Sequence, residues 1–374
     1  MKRLLGILPL LAALALGCAA SSDDYRVGAS VTSRTYDTGT ADLGLFYDEL
    51  SPYGHWFTYG NEGWCWSPYE TRFGWRPYSD GSWAYTDAGW TWMSNEPFGW
   101  ATYHYGRWIF DDDYGWVWIP GTEWSPAWVA WRESSDWIGW APLPPGATWD
   151  ASAGLSWNDE FASQIDPDTW CFVPAGAILD PSLGAHIVPP ARNHTLLGTT
   201  QLSVRFDVDA RRPRNIGLDE QVVTRATGRP IPRYRLTDAN MPRPARRQGQ
   251  ALPMFRPRFR NGSDVAPPAS VIERQTSSVE QSRQDELRRD RQQQQLDADY
   301  ETARRRLQSQ QRAEEQRNVR DPAVETMRQQ HAAEMRALDQ QHDRDRRVLD
   351  ARYQKGMVRT DSGNGRGRGR REHP

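Results

Sequence analysis

Residues 82–92 read SWAYTDAGWTW, and this stretch decides the fold. Aromatic residues alternate with smaller ones on both sides of Asp87 and Ala88, which is the period of a β-strand and not of a helix. A turn centred on these two residues therefore predicts a β-hairpin. In that hairpin the rings pair across the strands on one face: Tyr85 with Trp90, and Trp83 with Trp92.

Two more stretches carry the same pattern: residues 55–66, HWFTYGNEGWCW, and residues 107–118, RWIFDDDYGWVW. The glycine of the Gly-Trp pair stands at positions 63, 89 and 115, a constant spacing of 26 residues that marks an internal repeat. The same register predicts the pairs on the corresponding face of the other two hairpins: Trp56 with Trp66, Thr58 with Trp64, Trp108 with Trp118, and Phe110 with Trp116. The opposite faces carry smaller pairs, so we expect both faces to be covered at least in part: Phe57 with Cys65, Ala84 with Thr91, and Ile109 with Val117.

All 19 tryptophans lie between Trp56 and Trp170, so their role concerns one region of the chain. A buried tryptophan or tyrosine removes about 150–250 Å² of surface from water, and stacked rings can therefore replace a conventional aliphatic core in small hairpins. The functional alternative is that some rings stay exposed as stacking platforms for sugars. The first candidates for such a glycan site are Trp90, Trp100, Tyr103, His104 and Trp116.

The N-terminus, MKRLLGILPLLAALALGC, has a short basic head, an apolar run and then Gly17-Cys18. This is the pattern of a bacterial lipoprotein signal at 1–18, in which cleavage leaves Cys18 as the lipidated first residue. An ordinary signal peptide cut near Ala20 is the alternative. Residues 19–42 then form a flexible tether, and Ala19-Ala20 resembles the start of lipoproteins sorted to the outer membrane of Gram-negative bacteria.

Two cysteines remain in the mature chain, Cys65 and Cys171. An exported protein meets an oxidising compartment, so a disulfide between them is expected, with two buried free thiols as the alternative.

The C-terminal third changes composition. A Pro/Arg-rich linker is expected at 229–268, and a long helical region at 269–356 that breaks near 321–322, where Pro322 follows Asp321. A thin apolar seam suits a partly coiled-coil-like pairing, either an antiparallel hairpin or an oligomer, while a solvated single helix is the alternative. The first helix could reach about 70 Å at 1.5 Å per residue and project from the membrane. Residues 357–374 form a disordered basic tail.

Catalytic and metal-binding patterns are missing from the sequence. The histidines show no zinc spacing, the run from Asp111 to Asp113 reads as a solvated turn, and no Gly-x-Ser-x-Gly motif is present. Asp150, Asp159 and Glu160 could be drawn as a glycosidase-like acid group, but chance provides such groups in any acidic, aromatic chain. We expect no enzyme activity, no metal and no cofactor.

Three runs resemble a known family: residues 74–108, residues 115–132 (GWVWIPGTEWSPAWVAWR) and residues 138–146 (IGWAPLPPG). They closely resemble the Trp-rich bacterial domain of unknown function 6600. Later pieces such as WCFVP and VTRATGRPIPRYRL look like the downstream portion of the same family, so the resemblance covers roughly residues 43–240. It implies an envelope or secreted protein of a Gram-negative bacterium and no established activity.

The sequence thus predicts an all-β, Trp-rich repeat domain of tandem hairpins at 43–228, followed by a helical region, with disordered linkers between. The expected function is a lipid-anchored, non-catalytic scaffold or protein-interaction module of the cell envelope, at the outer membrane. The helices at 271–355 would bind a protein partner or a second copy of the chain. Binding of peptidoglycan or another anionic envelope polymer is the alternative, and export makes nucleic acid an unexpected partner.

Overall fold

The computed structural model describes residues 41–69, 71–209, 212–259, 268, 279–317 and 324–363. The chain divides into two compact units, residues 1–35 and residues 36–374, and every described residue belongs to the second. The predicted signal peptide with Cys18, nearly all of the predicted tether, and the tail beyond residue 363 lie outside the described residues. Among the helices that are described, none is long and apolar enough to cross a membrane.

The three predicted hairpins are present with the predicted register. Their strands are β1 (Gly54–Thr58), β2 (Trp64–Pro68), β3 (Gly81–Thr86), β4 (Gly89–Ser94), β5 (Arg107–Asp111) and β6 (Gly115–Ile119). Trp56 pairs with Trp66, Trp83 with Trp92, and Trp108 with Trp118, as the alternation of aromatic residues predicts. Residue spacing and turn length therefore fix the local pairing.

A fourth hairpin follows, which the 26-residue period does not predict. Strands β7 (Val129–Glu133) and β8 (Trp137–Pro142) pair Trp131 with Trp140 in the same manner. Next come the two-residue strands β9 (Trp149–Asp150) and β10 (Gly154–Leu155), then β11 (Cys171–Pro174) and β12 (Gln201–Ser203). The Gly139-Trp140 pair was a signal for this hairpin, but it follows Gly115 by 24 residues instead of 26.

The last four strands are β13 (Phe206–Asp209), β14 (Arg212–Asn215), β15 (Arg233–Asp238) and β16 (Ala251–Met254). The last two lie within the segment predicted to be a Pro/Arg linker, so that prediction is wrong for these two strands. The β15 backbone pairs in parallel with β3 and β16, and Leu236 and Leu252 are buried. The segment therefore has strand hydrogen bonds and a core, although it contains few apolar residues. The β domain, which we define as residues 41–259, therefore extends beyond the predicted end at 228.

The hairpins do not stack as a simple tandem array. The first and third form one sheet in the order β1-β2-β6-β5, joined where Trp66 pairs with Trp118. The second lies in a six-stranded sheet, β13-β14-β4-β3-β15-β16, and the fourth in the sheet β11-β8-β7-β12. A Cβ on Gly89, whose φ is +85°, would lie 2.1 Å from the backbone oxygen of Asn215, so glycine allows β14 to approach β4.

Most tryptophans of the hairpins meet in one core between these sheets. The rings of Trp83 and Trp131 lie 4.4 Å apart, and those of Trp83 and Trp92 lie 4.9 Å apart. Several indoles also donate to loop carbonyls inside the core: Trp66 to Leu50 (3.1 Å), Trp118 to Tyr105 (2.8 Å) and Trp140 to Tyr78 (2.9 Å). Tryptophan thus supplies both apolar area and the donor that a buried loop carbonyl requires.

The opposite faces of the hairpins are also covered, as predicted. Phe57, Cys65 and Val117 form a small cluster behind the first and third hairpins. Ala84 and Met93 pack with the buried residues of β15 and β16 behind the second.

Five short helices complete the β domain: α1 (Gly44–Leu50), α2 (Gly99–Thr102), α3 (Asp159–Ser163), α4 (Asn193–Thr199) and α5 (Glu220–Thr227). Two long helices follow, α6 (Val279–Arg317) and α7 (Val324–Gly363), which we call together the helical arm. The predicted break falls between them, in residues that the structure leaves undescribed. Helix α7 continues through Gly363, so residues 357–363 are helical and not part of a disordered tail.

The two long helices form an antiparallel hairpin within the chain, so the arm is not a solvated single helix. Their pairing uses polar contacts: Tyr300 with Asp339 (2.6 Å), His342 with Asp297 (2.8 Å) and Arg289 with Asp350 (2.5 Å). Leu296, Leu307, Leu338 and Leu349 are the buried leucines of the seam. The arm does not project freely, as its length suggested, because it lies against the β domain.

Candidate ligand-binding site

One end of the arm is fixed to the first and third hairpins through backbone groups. Arg352 donates from Nε to the carbonyl of Tyr114 (2.9 Å) and from Nη1 to the carbonyl of Pro68 (3.3 Å). Asp345 accepts a hydrogen bond from the amide of Gly74 (3.3 Å). Since carbonyls and amides at hairpin ends lack strand partners, these polar side chains complete their hydrogen bonding.

Next to Asp345, Arg344 forms an ion pair with Asp168. Farther along the arm, Arg192 lies 3.6 Å from Glu334. Arg306 donates to the carbonyl of Ala185 over 2.8 Å. The arm is therefore attached at several positions mainly by charged and polar contacts.

Between the arm and the β domain lies a cavity of about 1090 Å³ that is partly open to solvent, which we call the interface cavity. Its walls are the loop 71–80, the segment 184–190, and the facing side of α6 with Leu338 and Gln341 of α7. This volume is at the upper end of the range that binds small molecules. A helix that only completed a core would fill such a space with side chains.

Arginine dominates the charge of the interface cavity. Five arginines line it, against three acidic residues: Arg72, Arg76, Arg288, Arg291 and Arg306, with Asp80, Glu96 and Asp299. Arg72 and Arg291 are exposed at its rim, and Arg76 is only 4% exposed. The cavity is thus a site for negative rather than positive groups.

Arg76 is a buried arginine with fewer hydrogen-bond acceptors than Arg107 or Arg132. Its Nε donates to the sulfur of Cys171 over 3.4 Å, and its Nη1 has no hydrogen-bond partner among the described residues. Arg107 and Arg132, by contrast, donate to backbone carbonyls, Arg107 to Ala147 over 2.7 Å and Arg132 to Thr200 over 2.6 Å. A buried guanidinium without such partners is costly unless an anion accompanies it.

Glu96 is the most strongly desolvated acidic side chain that lines the cavity. It accepts hydrogen bonds from the indole of Trp75 (2.7 Å) and from the hydroxyl of Tyr103. Desolvation, with a smaller contribution from Asp80, raises the pKa of Glu96 from 4.5 to about 7. The charge of this wall therefore changes near neutral pH.

The five residues proposed for glycan stacking are all buried. Their exposed fractions run from 0% to 6%: Trp90 (0%), Tyr103 (0%), His104 (2%), Trp100 (4%) and Trp116 (6%). The prediction of exposed platforms is wrong for each of them, because the sheets and helices pack on both faces of the hairpins. His104 illustrates this, since its ring stacks on Trp124, its Nδ1 lies 2.9 Å from the carbonyl of Ser125, and desolvation lowers its pKa to about 4.

Cys65 and Cys171 are free buried thiols, so the expected disulfide is not formed. Cys65 lies on β2, where it packs with Phe57 and Val117, and Cys171 lies on β11 in a different sheet. Desolvation raises the pKa of the Cys65 thiol to about 12. Cys171 instead faces Arg76 at the interface cavity.

Two of the acidic candidates, Asp111 and Asp150, accept hydrogen bonds within local turns. Asp111 closes its own turn by accepting from the amides of Asp113 (2.8 Å) and Tyr114 (2.9 Å). Asp150 does the same with Ser152 and Ala153. Within the described ranges, no group of three potential metal ligands comes together.

The interface cavity was not predicted from the sequence, although part of its wall had a signal. Arg288, Arg291, Gln295 and Thr302 recur at spacings of three, four and seven, which places them on one face of α6. What the sequence could not indicate is that this face lies over the loop 71–80.

Residues 47–147 match the model of a family of unknown function, DUF6600. This range contains all four Trp hairpins and confirms the resemblance for residues 47–147, whereas its extension to about residue 240 stays a prediction. No curated protein and no solved structure shows significant similarity to the chain.

Proposed function

We propose that this protein is a lipid-anchored, non-catalytic interaction module of the bacterial cell envelope, at the outer membrane of a Gram-negative bacterium. The lipoprotein pattern that ends at Cys18 supports the anchor, and the polar stretch that follows supports a tether. In this proposal the closed β domain is a scaffold, and the helical arm is the element that meets a protein partner or a second copy of the chain.

The observation that carries the interaction role is the chemistry of arm attachment. Arg352, Asp345, Arg344 and Gln292 hold the arm through hydrogen bonds and ion pairs to the β domain. Arg344 and Asp168 are 35% and 32% exposed, so salt weakens this ion pair, which suits a surface that detaches and rebinds.

A second supporting feature is an apolar side chain of the arm that is exposed to solvent. Leu287, on α6, is 53% exposed, which is the highest exposed fraction among the exposed large apolar side chains of the described residues. A helix face that ends in an exposed leucine beside a thin seam of buried leucines is suited to pairing with another helix.

The anchor is tested by labelling cells with a fatty acid and comparing the natural chain with Cys18→Ser. The proposal expects the label and membrane association in the natural chain and loss of both in the variant. A chain that stays unlabelled, or a variant that stays lipidated, contradicts the anchor.

The interaction role is tested by photo-crosslinking in cells from an unnatural residue at position 287. Position 202 serves as the matched control, because Leu202 is a leucine 37% exposed on the β domain. Adducts with a second copy or another envelope protein from position 287 alone are expected. Equal adducts from both positions, or none from either, contradict the proposed role of the arm.

A further inference from the structure

We propose that the interface cavity binds a small organic anion carrying at least two carboxylate or phosphate groups, with Arg76 as its innermost contact. This ligand site is separate from the proposed lipid anchor and from the exposed surface of the arm, so it stands or falls independently of them.

The first argument is the missing counter-charge of Arg76. This side chain is 4% exposed, its Nη1 is unpartnered within the described part of the chain, and the sulfur of Cys171 is a weak acceptor. The three acidic residues of the cavity accept hydrogen bonds from other side chains: Glu96 from Trp75 and Tyr103, Asp80 from Asn95, and Asp299 from Gln295. A bound carboxylate or phosphate would supply the partner that Arg76 lacks.

The second argument is that arginines lie on both walls. Arg72 and Arg76 belong to the β-domain loop, and Arg288 and Arg291 belong to α6 of the arm. The guanidinium of Arg288 also lies 5.3 Å from the ring centre of Tyr69. A ligand with two anionic groups can contact both walls at once, whereas a single inorganic ion cannot span a cavity of about 1090 Å³.

The third argument is the apolar part of the lining. Phe73, Trp75, Ile187 and Val188 also contribute to the walls. Such side chains favour an organic body between the charged groups over a fully hydrated inorganic ion. The ligand class is therefore an organic polyanion, either free in solution or as the exposed part of a lipid headgroup.

The test is isothermal titration of the full-length protein in a neutral detergent, with citrate and with glucose 1,6-bisphosphate as probes. Vesicles containing an anionic phospholipid form a separate arm of the experiment. Arg76→Gln removes the inner contact, Arg291→Gln removes a rim contact, and Arg305→Gln is the matched control because Arg305 is exposed on α6 and does not line the cavity.

We expect saturable binding of at least one soluble probe at constant ionic strength. Arg76→Gln should weaken it about tenfold to a hundredfold and Arg291→Gln a few-fold, as for lost charge-assisted hydrogen bonds, with no change for Arg305→Gln. If Arg76→Gln does not fold, as judged by circular dichroism, Arg291→Gln against Arg305→Gln still decides the outcome.

Three results would overturn the proposal: no binding of either soluble probe, affinity that is equal in Arg291→Gln and Arg305→Gln, or binding to vesicles without binding to a soluble probe. Binding to both vesicles and a soluble probe, reduced by Arg291→Gln in each case, supports the shared headgroup chemistry.

Discussion

The guanidinium of Arg352 donates to the backbone carbonyl of Tyr114 over 2.9 Å, which joins the second long helix to the turn of the third Trp hairpin. These residues are 238 positions apart, and the contact is one of several that set the arm over the loop 71–80. The arm is also attached farther along, where Arg192 lies 3.6 Å from Glu334 and Arg306 donates to the carbonyl of Ala185, and the interface cavity lies between the arm and the β domain.

Removing the Arg352 side chain should loosen the arm without unfolding the β domain. Arg352→Met keeps most of the aliphatic stem but leaves the carbonyls of Tyr114 and Pro68 without their donor, a loss of about 1–3 kcal/mol in docking. Hydrogen exchange measured by mass spectrometry should become faster in residues 337–352 and stay unchanged in the Trp hairpins. Arg347→Met, exposed on the same helix, is the control, and equal exchange in both variants would show that Arg352 does not hold the arm.

Docking of the arm should depend on pH through Asp345. Desolvation raises the pKa of this carboxyl from 3.8 to about 6, while the amide of Gly74 and the charges of Arg344, Arg352 and His342 act in the opposite direction. Because the docked pKa is the higher one, the contribution of Asp345 to docking is complete below pH 3.8 and is lost as the pH rises through 6. The effect is on the order of 2 kcal/mol after allowance for partial exposure.

Asp345→Asn should therefore remove most of this dependence. Exchange rates of the arm, corrected for the intrinsic effect of pH, should rise between pH 4 and pH 7 in the natural chain and stay nearly level in the variant. A natural chain whose arm is held more tightly at pH 7 than at pH 4 would reverse the sign and refute the assignment.

The free energy of unfolding of the β domain should also decrease as the pH rises, because of Glu96. Its pKa of about 7 in the folded chain exceeds the ordinary value of 4.5, so its ionisation destabilises the fold as the pH rises through 7. Urea unfolding should show Glu96→Gln gaining about 2–3 kcal/mol relative to the natural chain between pH 5 and pH 8. No relative change over that range would mean that the hydrogen bonds from Trp75 and Tyr103 compensate the desolvation fully.

Indole hydrogen bonds should make some tryptophans irreplaceable by phenylalanine. Trp118 and Trp92 are both fully buried, but Trp118 donates to the carbonyl of Tyr105, whereas Nε1 of Trp92 has no partner among the described residues. Trp118→Phe should therefore lower the free energy of unfolding by about 1–3 kcal/mol more than Trp92→Phe, because only the first leaves a buried carbonyl unpaired. Denaturant unfolding followed by circular dichroism measures the difference, and equal losses would mean that the rings contribute only apolar area.

Local pairing was predictable because it depends on residues close together in sequence. The alternation around Asp87 and Ala88 sets which rings face each other, and that register holds in all three predicted hairpins. The arrangement of hairpins into sheets depends on distant contacts such as Trp66 with Trp118 and Asn215 with Gly89, which no period reveals.

The same distinction explains why the site predictions were wrong. A tryptophan in an alternating strand has the same sequence signature whether its face meets solvent or another sheet, so the burial of Trp90 and Trp116 could not be read from spacing. The strands β15 and β16 likewise owe their structure to the edge of β3 more than to their own composition. Glu96 and Arg76 acquire their properties from desolvation, which is a feature of the folded chain alone.

Docking of the arm on the β domain is tested most directly by a distance distribution between two spin labels. Leu287→Cys on the arm and Leu202→Cys on the β domain replace exposed leucines, Cys18→Ser removes a third cysteine, and Cys65 and Cys171 are buried. A second pair, Leu202→Cys with Tyr53→Cys, reports the β domain alone. A docked arm predicts a single distribution as narrow as that of the control pair. A broad distribution extending toward the length of α6, about 60 Å for its 39 residues, would show a free arm and contradict both the attachment and the cavity beneath it.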